Sequence, residues 1–272
     1  MRPFEKRRLG RTDLMVTELG FGAMNIPDVR EGEETLGKAL ELGINFIDTA
    51  RIYRGSEYLI GKVIEGRRRD SFIIATKTPR RSRDGALNDL DKSLKTLGIG
   101  KIDLYQLHDV SPVDWNQVMG KEGAVEGLKE AREQGLIDHI GLTSHTLEVL
   151  EKALDSGEFE TVLLKYSPFE RETRRIISRA KERDVGVIVM KPLGGLGMPA
   201  TLRGYETPLD PETLLRYVLS NPSISVVIPG ARFPWEVEEN VALARSYEPM
   251  ASEEIGRVDD EADALLGKMA IR

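Results

Sequence analysis

Eight short apolar runs, each followed by a charged segment of helical length, order this chain from residue 18 onward. They read ELGFGAM (18–24), NFIDTA (45–50), FIIATK (72–77), IDLYQLH (102–108), IDHIGLTS (137–144), TVLLKYS (161–167), VGVIVMKP (185–192) and ISVVIPG (224–230). Each is of strand length and rich in β-branched or aromatic residues. Helix-like stretches such as 32–42, 84–97, 122–134 and 171–183 lie between them. Three of the stretches close on a glycine, Gly43, Gly98 or Gly135, where a helix C-terminus takes a left-handed residue. Ser56-Glu57 reads as a helix start, an N-cap hydroxyl followed by a first-turn acid.

Strands alternating with helices imply a parallel sheet, and eight such units without a Pro/Ser-rich linker predict one (β/α)₈ TIM barrel over residues 1–272. A doubly wound open sheet is the competing architecture. It usually carries a glycine-rich turn after its first strand, and GFGAMN is not G-x-G-x-x-G. KRRLGRTDLMVTELG predicts an N-terminal hairpin ahead of the barrel, and a C-terminal helix is expected over about 251–268.

Composition narrows the function. A net charge of −6 and a pI near 5.4 argue against a nucleic-acid or anionic-membrane surface. The absence of cysteine excludes disulfides, thiolate metal sites and cysteine nucleophiles. Neither a signal-like apolar stretch nor a membrane-length run is present, which predicts a soluble, cytoplasmic protein.

A barrel of this kind does its chemistry at the C-terminal ends of its strands. The second run ends in Asp48 with Tyr53 in the following loop, the third in Lys77, the fourth in His108 and the fifth in Thr143-Ser144-His145. Consecutive strands are neighbours, so Asp48, Lys77 and His108 converge on one mouth and Tyr53 leans in. Each has a plainer reading: Asp48 as a turn residue, Tyr53 as a rim aromatic, Lys77 as a snorkelling side chain, His108 as a hydrogen-bonded core histidine. Four titratable groups on adjacent strand ends favour a catalytic centre. A free phenol titrates near about 10, and a neighbouring ammonium is expected to lower that value. A carboxylate would hold the lysine, and the histidine could donate to a substrate oxygen. Such a group protonates a carbonyl oxygen while a cofactor hydride attacks the carbon.

Taken together, LGRTDLMVTELGFGAM, GINFIDTARIYRGSE, FIIATK, IDLYQLHDV, HIGLTSH and VVIPGARFPWEVEEN resemble the aldo-keto reductase superfamily, in order and over nearly the whole chain. The resemblance implies a (β/α)₈ barrel that binds NADP(H), or less often NAD(H), without a Rossmann domain, and that acts on a small-molecule carbonyl substrate. It places the family's Asp, Tyr, Lys and His tetrad on Asp48, Tyr53, Lys77 and His108. Tyr53 is then the general acid, Lys77 depresses its pKa, Asp48 holds Lys77 and His108 orients the carbonyl.

The same resemblance assigns the cofactor contacts. Gly22, Ala23 and Met24 at the end of the first run are cofactor contacts, as is Asp48 at the end of the second. Ser144 and His145 stand where relatives read Ser-Asn around the nicotinamide carboxamide, and Leu163 stands where a glutamine is common. Tyr166 is at a position where an aromatic stacks on the nicotinamide. Pro192, Leu193, Gly194 and Gly197 of KPLGGLG match the pyrophosphate segment, which reads alternatively as a mobile glycine loop. Gly230 and Glu236 replace a Lys and an Arg of NADP-specific relatives, flanking Ala231 and Arg232. Glu239 and Asn240 match adenine contacts. Arg232 favours NADP(H), because a guanidinium suits a 2′-phosphate. Glu236 opposes it if it points at the same site, or is merely a first-turn acid.

Two weaker signals remain. Arg80, Arg81 and Arg83 follow Lys77 and could attract an anionic substrate, although a solvated charge run is the favoured reading. Trp115 is a candidate pocket wall or a loop anchor. Two other function classes stay open: a cofactor-binding sensor subunit, and a metal-dependent hydrolase built on His108, Asp109 and His145.

Overall fold

A computed structural model describes residues 4–26, 29–195 and 198–270. Strands β1 (Lys6–Arg8) and β2 (Met15–Thr17) pair antiparallel in the predicted N-terminal hairpin. Eight parallel strands follow and pair in chain order: β3 (Phe21–Gly22), β4 (Phe46–Asp48), β5 (Ile73–Thr78), β6 (Ile102–Leu107), β7 (Ile137–Thr143), β8 (Thr161–Lys165), β9 (Gly186–Met190) and β10 (Val226–Ile228). Parallel bridges Leu19–Val227 and Gly22–Gly230 bring the first of these back to the last. Gly20 N donates to Val227 O at 2.8 Å and Val227 N to Glu18 O at 2.9 Å. This is the expected (β/α)₈ barrel.

The crossovers carry α1 (Val29–Glu41), α2 (Ser56–Ile64), α3 (Arg83–Leu97), α4 (Trp115–Val118), α5 (Ala124–Glu133), α6 (Leu147–Ser156), α7 (Arg174–Glu182), α8 (Met198–Leu202) and α9 (Pro211–Leu219); α10 (Pro234–Ala244) follows the last strand, and α11 (Ser252–Ala270) is the C-terminal helix. Gly43, Gly98 and Gly135 all take positive φ, as their C′ positions require. Helix α2 begins where expected, but Ser56 is not its cap. Gly55 holds the N-cap position at φ 75°, and the Ser56 hydroxyl donates instead to Ala23 O at 3.0 Å. That bond ties the loop after β3 to the loop after β4.

Side chains alternate along each strand, and the alternation sorts the core into two clusters. Phe46, Ile73, Ala75, Leu104, Leu163, Ile188, Val226 and Ile228 fill the barrel interior, joined by Leu9 and Val16 of the hairpin. Ile47, Ile74, Tyr105, Leu107, Leu142, Val162 and Val187 face the helices. Leu9 and Val16 are fully buried, each contributing roughly 1.5–3 kcal/mol. The hairpin therefore plugs the end of the barrel opposite the strand C-termini.

Gly10 makes that plug possible. It sits at φ 53° in an antiparallel bridge to Val185, and a Cβ there would lie 2.2 Å from Gly186 N. Gly10→Ala is expected to cost about 2–4 kcal/mol, combining left-handed strain with an unrelievable backbone clash. Gly66 has φ 73° but open space around it, so Gly66→Ala should cost about 1 kcal/mol. Denaturant midpoints of the two variants test the difference.

Candidate active site

The alternation that fills the barrel with hydrocarbon also delivers the polar residues to its mouth. Phe46 is followed two residues later by Asp48, Ile73 and Ala75 by Lys77, and Leu104 by Gln106 and then His108. Lys77 Nζ donates to Asp48 Oδ2 at 2.6 Å and to Thr49 O at 2.7 Å, while Gln106 Nε2 donates to Asp48 Oδ1 at 3.3 Å. The Lys77 and Asp48 side chains are 1% and 4% exposed. Burial pulls the ammonium pKa down and the carboxyl pKa up, and each shift is opposed by the partner's charge. Gly141 leaves the room this network needs, since a Cβ would meet Thr161 Oγ1 at 2.3 Å and Gln106 Cγ at 2.9 Å.

Tyr53 sits on a tight turn, with Tyr53 N donating to Ala50 O and Ser56 N to Tyr53 O. Its ring meets His108 edge-on, centroids 5.4 Å apart, and the Lys77 ammonium lies 5.1 Å from its centroid. The expected lowering of the phenol pKa is reversed here. Burial first, then Asp48 and Asp109, hold Tyr53 above its ordinary value. The reason is geometric: Lys77 lies over the ring with its bonds directed to Asp48 and Thr49. The consequence is a phenol that keeps its proton at neutral pH.

His108 is brought down to about 3, by burial first and then by Lys77, Arg81 and His145. It is a neutral imidazole with one N–H and one lone pair, and its buried Nδ1 has no partner among the described residues.

A cavity of about 330 Å³ opens at this mouth, lined by Asp48, Tyr53 and Lys77, with His108 standing behind Tyr53. Gly22, Met24, Pro192, Leu193, Gly230, Arg232 and Glu236 also line it. Other expected cofactor residues do not. Ala23 is buried with its carbonyl on Ser56. Ser144 Oγ donates to Val110 O at 2.7 Å and accepts from Thr146 N at 3.0 Å, so backbone engages it. His145 is exposed beyond the lining. Tyr166 turns outward to Tyr217, centroids 5.6 Å apart, because its parity on β8 is opposite to that of Leu163. Gly194, at φ 81°, packs against Met198 and Phe169, and Gly195 takes the lining position. Ala231 is buried, while Glu239 and Asn240 lie further along α10, outside the lining. Gly197 lies outside the described residues. Trp115 packs on Phe159, ring centroids 6.4 Å apart, and is not among the residues lining this cavity.

The chain's likeness to known proteins points the same way. The sequence profile of the aldo/keto reductase family matches residues 18–212, well over half the chain. The chain belongs to the aldo/keto reductase family. It is therefore an oxidoreductase. An uncharacterized oxidoreductase of Bacillus subtilis, YqkF, is 28% identical over 89% of this chain and 91% of its own. L-galactose dehydrogenase of Arabidopsis thaliana is 27% identical over 93% of this chain and 92% of its own. The holo form of aldo-keto reductase AKR11C1 from Bacillus halodurans superposes with a TM-score of 0.81 at 28% identity, covering 94% of this chain and 96% of that one.

The reductase's cavity is also lined by Thr143 and Leu163, and by two residues that no motif singled out, Met190 and Lys191. Thr143 Oγ1 is buried without a partner among the described residues, so the free hydroxyl beside the cavity is this one, not that of Ser144. Its signal was parity: Thr143 stands two residues after Gly141 on the inward face of β7. Met190, two residues after Ile188, follows the same rule. Among the described residues, no group of three His, Cys, Asp or Glu side chains could hold a metal ion. No described helix is long and apolar enough to cross a membrane.

Proposed function

We propose that this reductase converts aldehydes or ketones to alcohols with a reduced nicotinamide cofactor, Tyr53 acting as general acid. The observation that carries the reading is the protonated, half-buried phenol facing the cavity between the Asp48–Lys77 pair and a neutral His108. Two orphaned buried polar atoms, His108 Nδ1 and Thr143 Oγ1, suit a ligand bearing a carbonyl oxygen and an amide. When bound, the nicotinamide supplies the hydride. Tyr53 Oη delivers its proton to the carbonyl oxygen, which the neutral His108 orients by hydrogen bonding. Pro192, Leu193 and Gly195 would hold the cofactor along one wall, Gly22 and Gly230 letting its backbone-facing side approach closely. The test is loss of reduced-nicotinamide absorbance with a generic aldehyde such as 4-nitrobenzaldehyde; no turnover above a Tyr53→Phe blank would defeat the reading.

For the cofactor, the reading is NADP(H) with weak discrimination against NAD(H). Glu236 Oε2 accepts from Arg232 N at 2.5 Å and Phe233 N at 3.2 Å, so the amides at the start of α10 already hold a carboxylate. A 2′-phosphate would depend on the exposed Arg232 guanidinium, which lies 5.9 Å from the Phe233 ring centroid. A charged hydrogen bond of roughly 1.5–3 kcal/mol makes the expected loss in NADPH kcat/KM on Arg232→Ala about 10–100-fold. NADH efficiency should hardly move. A wild-type preference for NADH, or no NADPH loss in the variant, would overturn this assignment.

A further inference from the structure

Of the three arginines after Lys77, one does not face solvent as part of a charged rim. Arg83 pairs with Glu130 and Asp84, and Arg80 extends outward, 61% exposed, with Nε 3.5 Å from Asp89. Arg81 folds inward, its side chain 17% exposed. Nη1 donates to the main-chain carbonyl of His108 at 2.9 Å and Nη2 to that of Asp109 at 2.8 Å. The guanidinium is itself fixed by Asp114, 3.1 Å away. Asp114 in turn accepts from Ser111 N at 3.0 Å and Ser111 Oγ at 2.7 Å.

The segment so clasped is unusual. Asp109 takes φ 50°, a left-handed conformation that a non-glycine residue holds only where its surroundings impose it. That turn immediately follows the histidine that ends β6, and both carbonyls flanking the Cα of Asp109 are read by one planar fork. His108 N donates to Thr78 O and Val110 N to Thr143 O, so the backbone on either side is anchored to β5 and β7. Arg81 supplies the third anchor, on the carbonyls. Two donors in fixed geometry restrain two successive peptide planes in a way a lysine's single flexible ammonium does not.

We propose that Arg81 is a positioning residue: it clamps the His108–Asp109 turn, and through it sets where the His108 imidazole meets Tyr53 and the substrate carbonyl. The proposal rests on the carbonyl-reductase reading for its kinetic consequence, but the clamp itself does not. It also displaces the anionic-substrate role for this arginine, since both terminal nitrogens are already held by His108 O, Asp109 O and Asp114. Misplacing a catalytic group by about 1 Å can cost on the order of 10²-fold in rate.

The experiment compares Arg81→Met, Arg81→Lys and Arg80→Met with the wild type. Arg80→Met removes the same charge from the same loop without touching the turn. Arg81→Met is expected to lower kcat/KM for the aldehyde by about 10–100-fold while the Kd for the cofactor, read by fluorescence, stays unchanged. Arg81→Lys should recover part of the loss, and Arg80→Met should match the wild type. In parallel, imidazole NMR signals are compared; the chain has only three histidines. The His108 signal should move in Arg81→Met and that of His139, on the middle of β7, should not. Equal losses in Arg80→Met and Arg81→Met would overturn the proposal in favour of rim charge. An unmoved His108 signal, or activity falling only with the folded fraction, would also sink it. A wild type without turnover but with a shifted His108 signal in Arg81→Met would retain the clamp and remove the carbonyl-reductase reading.

Discussion

Tyr53→Phe is expected to lower carbonyl reduction by about 10²–10⁴-fold while leaving cofactor affinity intact, the usual cost of deleting a general acid. The substitution removes one oxygen and keeps the ring that packs edge-on against His108 and beneath Lys77. Folding should therefore be little changed. The pH dependence follows from the sign of the shift. Reduction needs the protonated phenol, and burial with Asp48 and Asp109 raises its pKa. The proton is thus retained up to and beyond the ordinary phenol value of about 10, and no basic limb is expected below it. His108, brought down to about 3, stays neutral and adds no acid limb at neutral pH. Initial rates from pH 6 to 9 in both proteins, at fixed cofactor saturation, provide the check. Near-normal turnover in Tyr53→Phe would remove Tyr53 from the mechanism.

Lys77→Met should be costly twice. It abolishes the ammonium that occupies Asp48 Oδ2 and Thr49 O, leaving a buried carboxylate without its counter-charge. Breaking one side of a buried pair costs about 3–5 kcal/mol. Reduction should collapse as well, because the group that both holds Asp48 and lies over the Tyr53 ring is gone. The double variant Asp48→Asn/Lys77→Met separates the two effects. With both charges removed, most of the stability should return and the activity should not. Urea unfolding and single-turnover rates on the wild type, Asp48→Asn, Lys77→Met and the double variant measure this cycle. Recovery of activity in the double variant would reassign the pair to folding alone.

Much of this architecture was legible because it rests on local chemistry. Strand runs ending in polar residues, helical segments ending in glycine and the hairpin ahead of them are short-range patterns, and the barrel realises each one. Asp48, Tyr53 and Lys77 reach one cavity, with His108 against Tyr53, because adjacent strand ends are adjacent in space. Side-chain parity and three-dimensional partners were less accessible. Tyr166 lies one residue out of phase with the inward face of β8 and meets Tyr217 on α9, more than fifty residues away in sequence. Ser144 and Thr143 are neighbours, yet only folding shows that backbone groups of the loops after β6 and β7 engage the first and leave the second unpartnered.

Electrostatics depends still more on assembly. Proximity of a lysine to a tyrosine implies a lowered phenol pKa, but the direction is set by burial and by where the ammonium's hydrogen bonds go. Arg80, Arg81 and Arg83 are chemically alike along the chain. Packing sends one to Asp89, one to Glu130 and one beneath the His108–Asp109 turn. Periodicity encodes which face a residue takes and which strand end carries charge. Desolvation, hydrogen-bond pairing and the free or engaged state of a polar atom are properties of long-range neighbours, and they come into being only when the barrel closes.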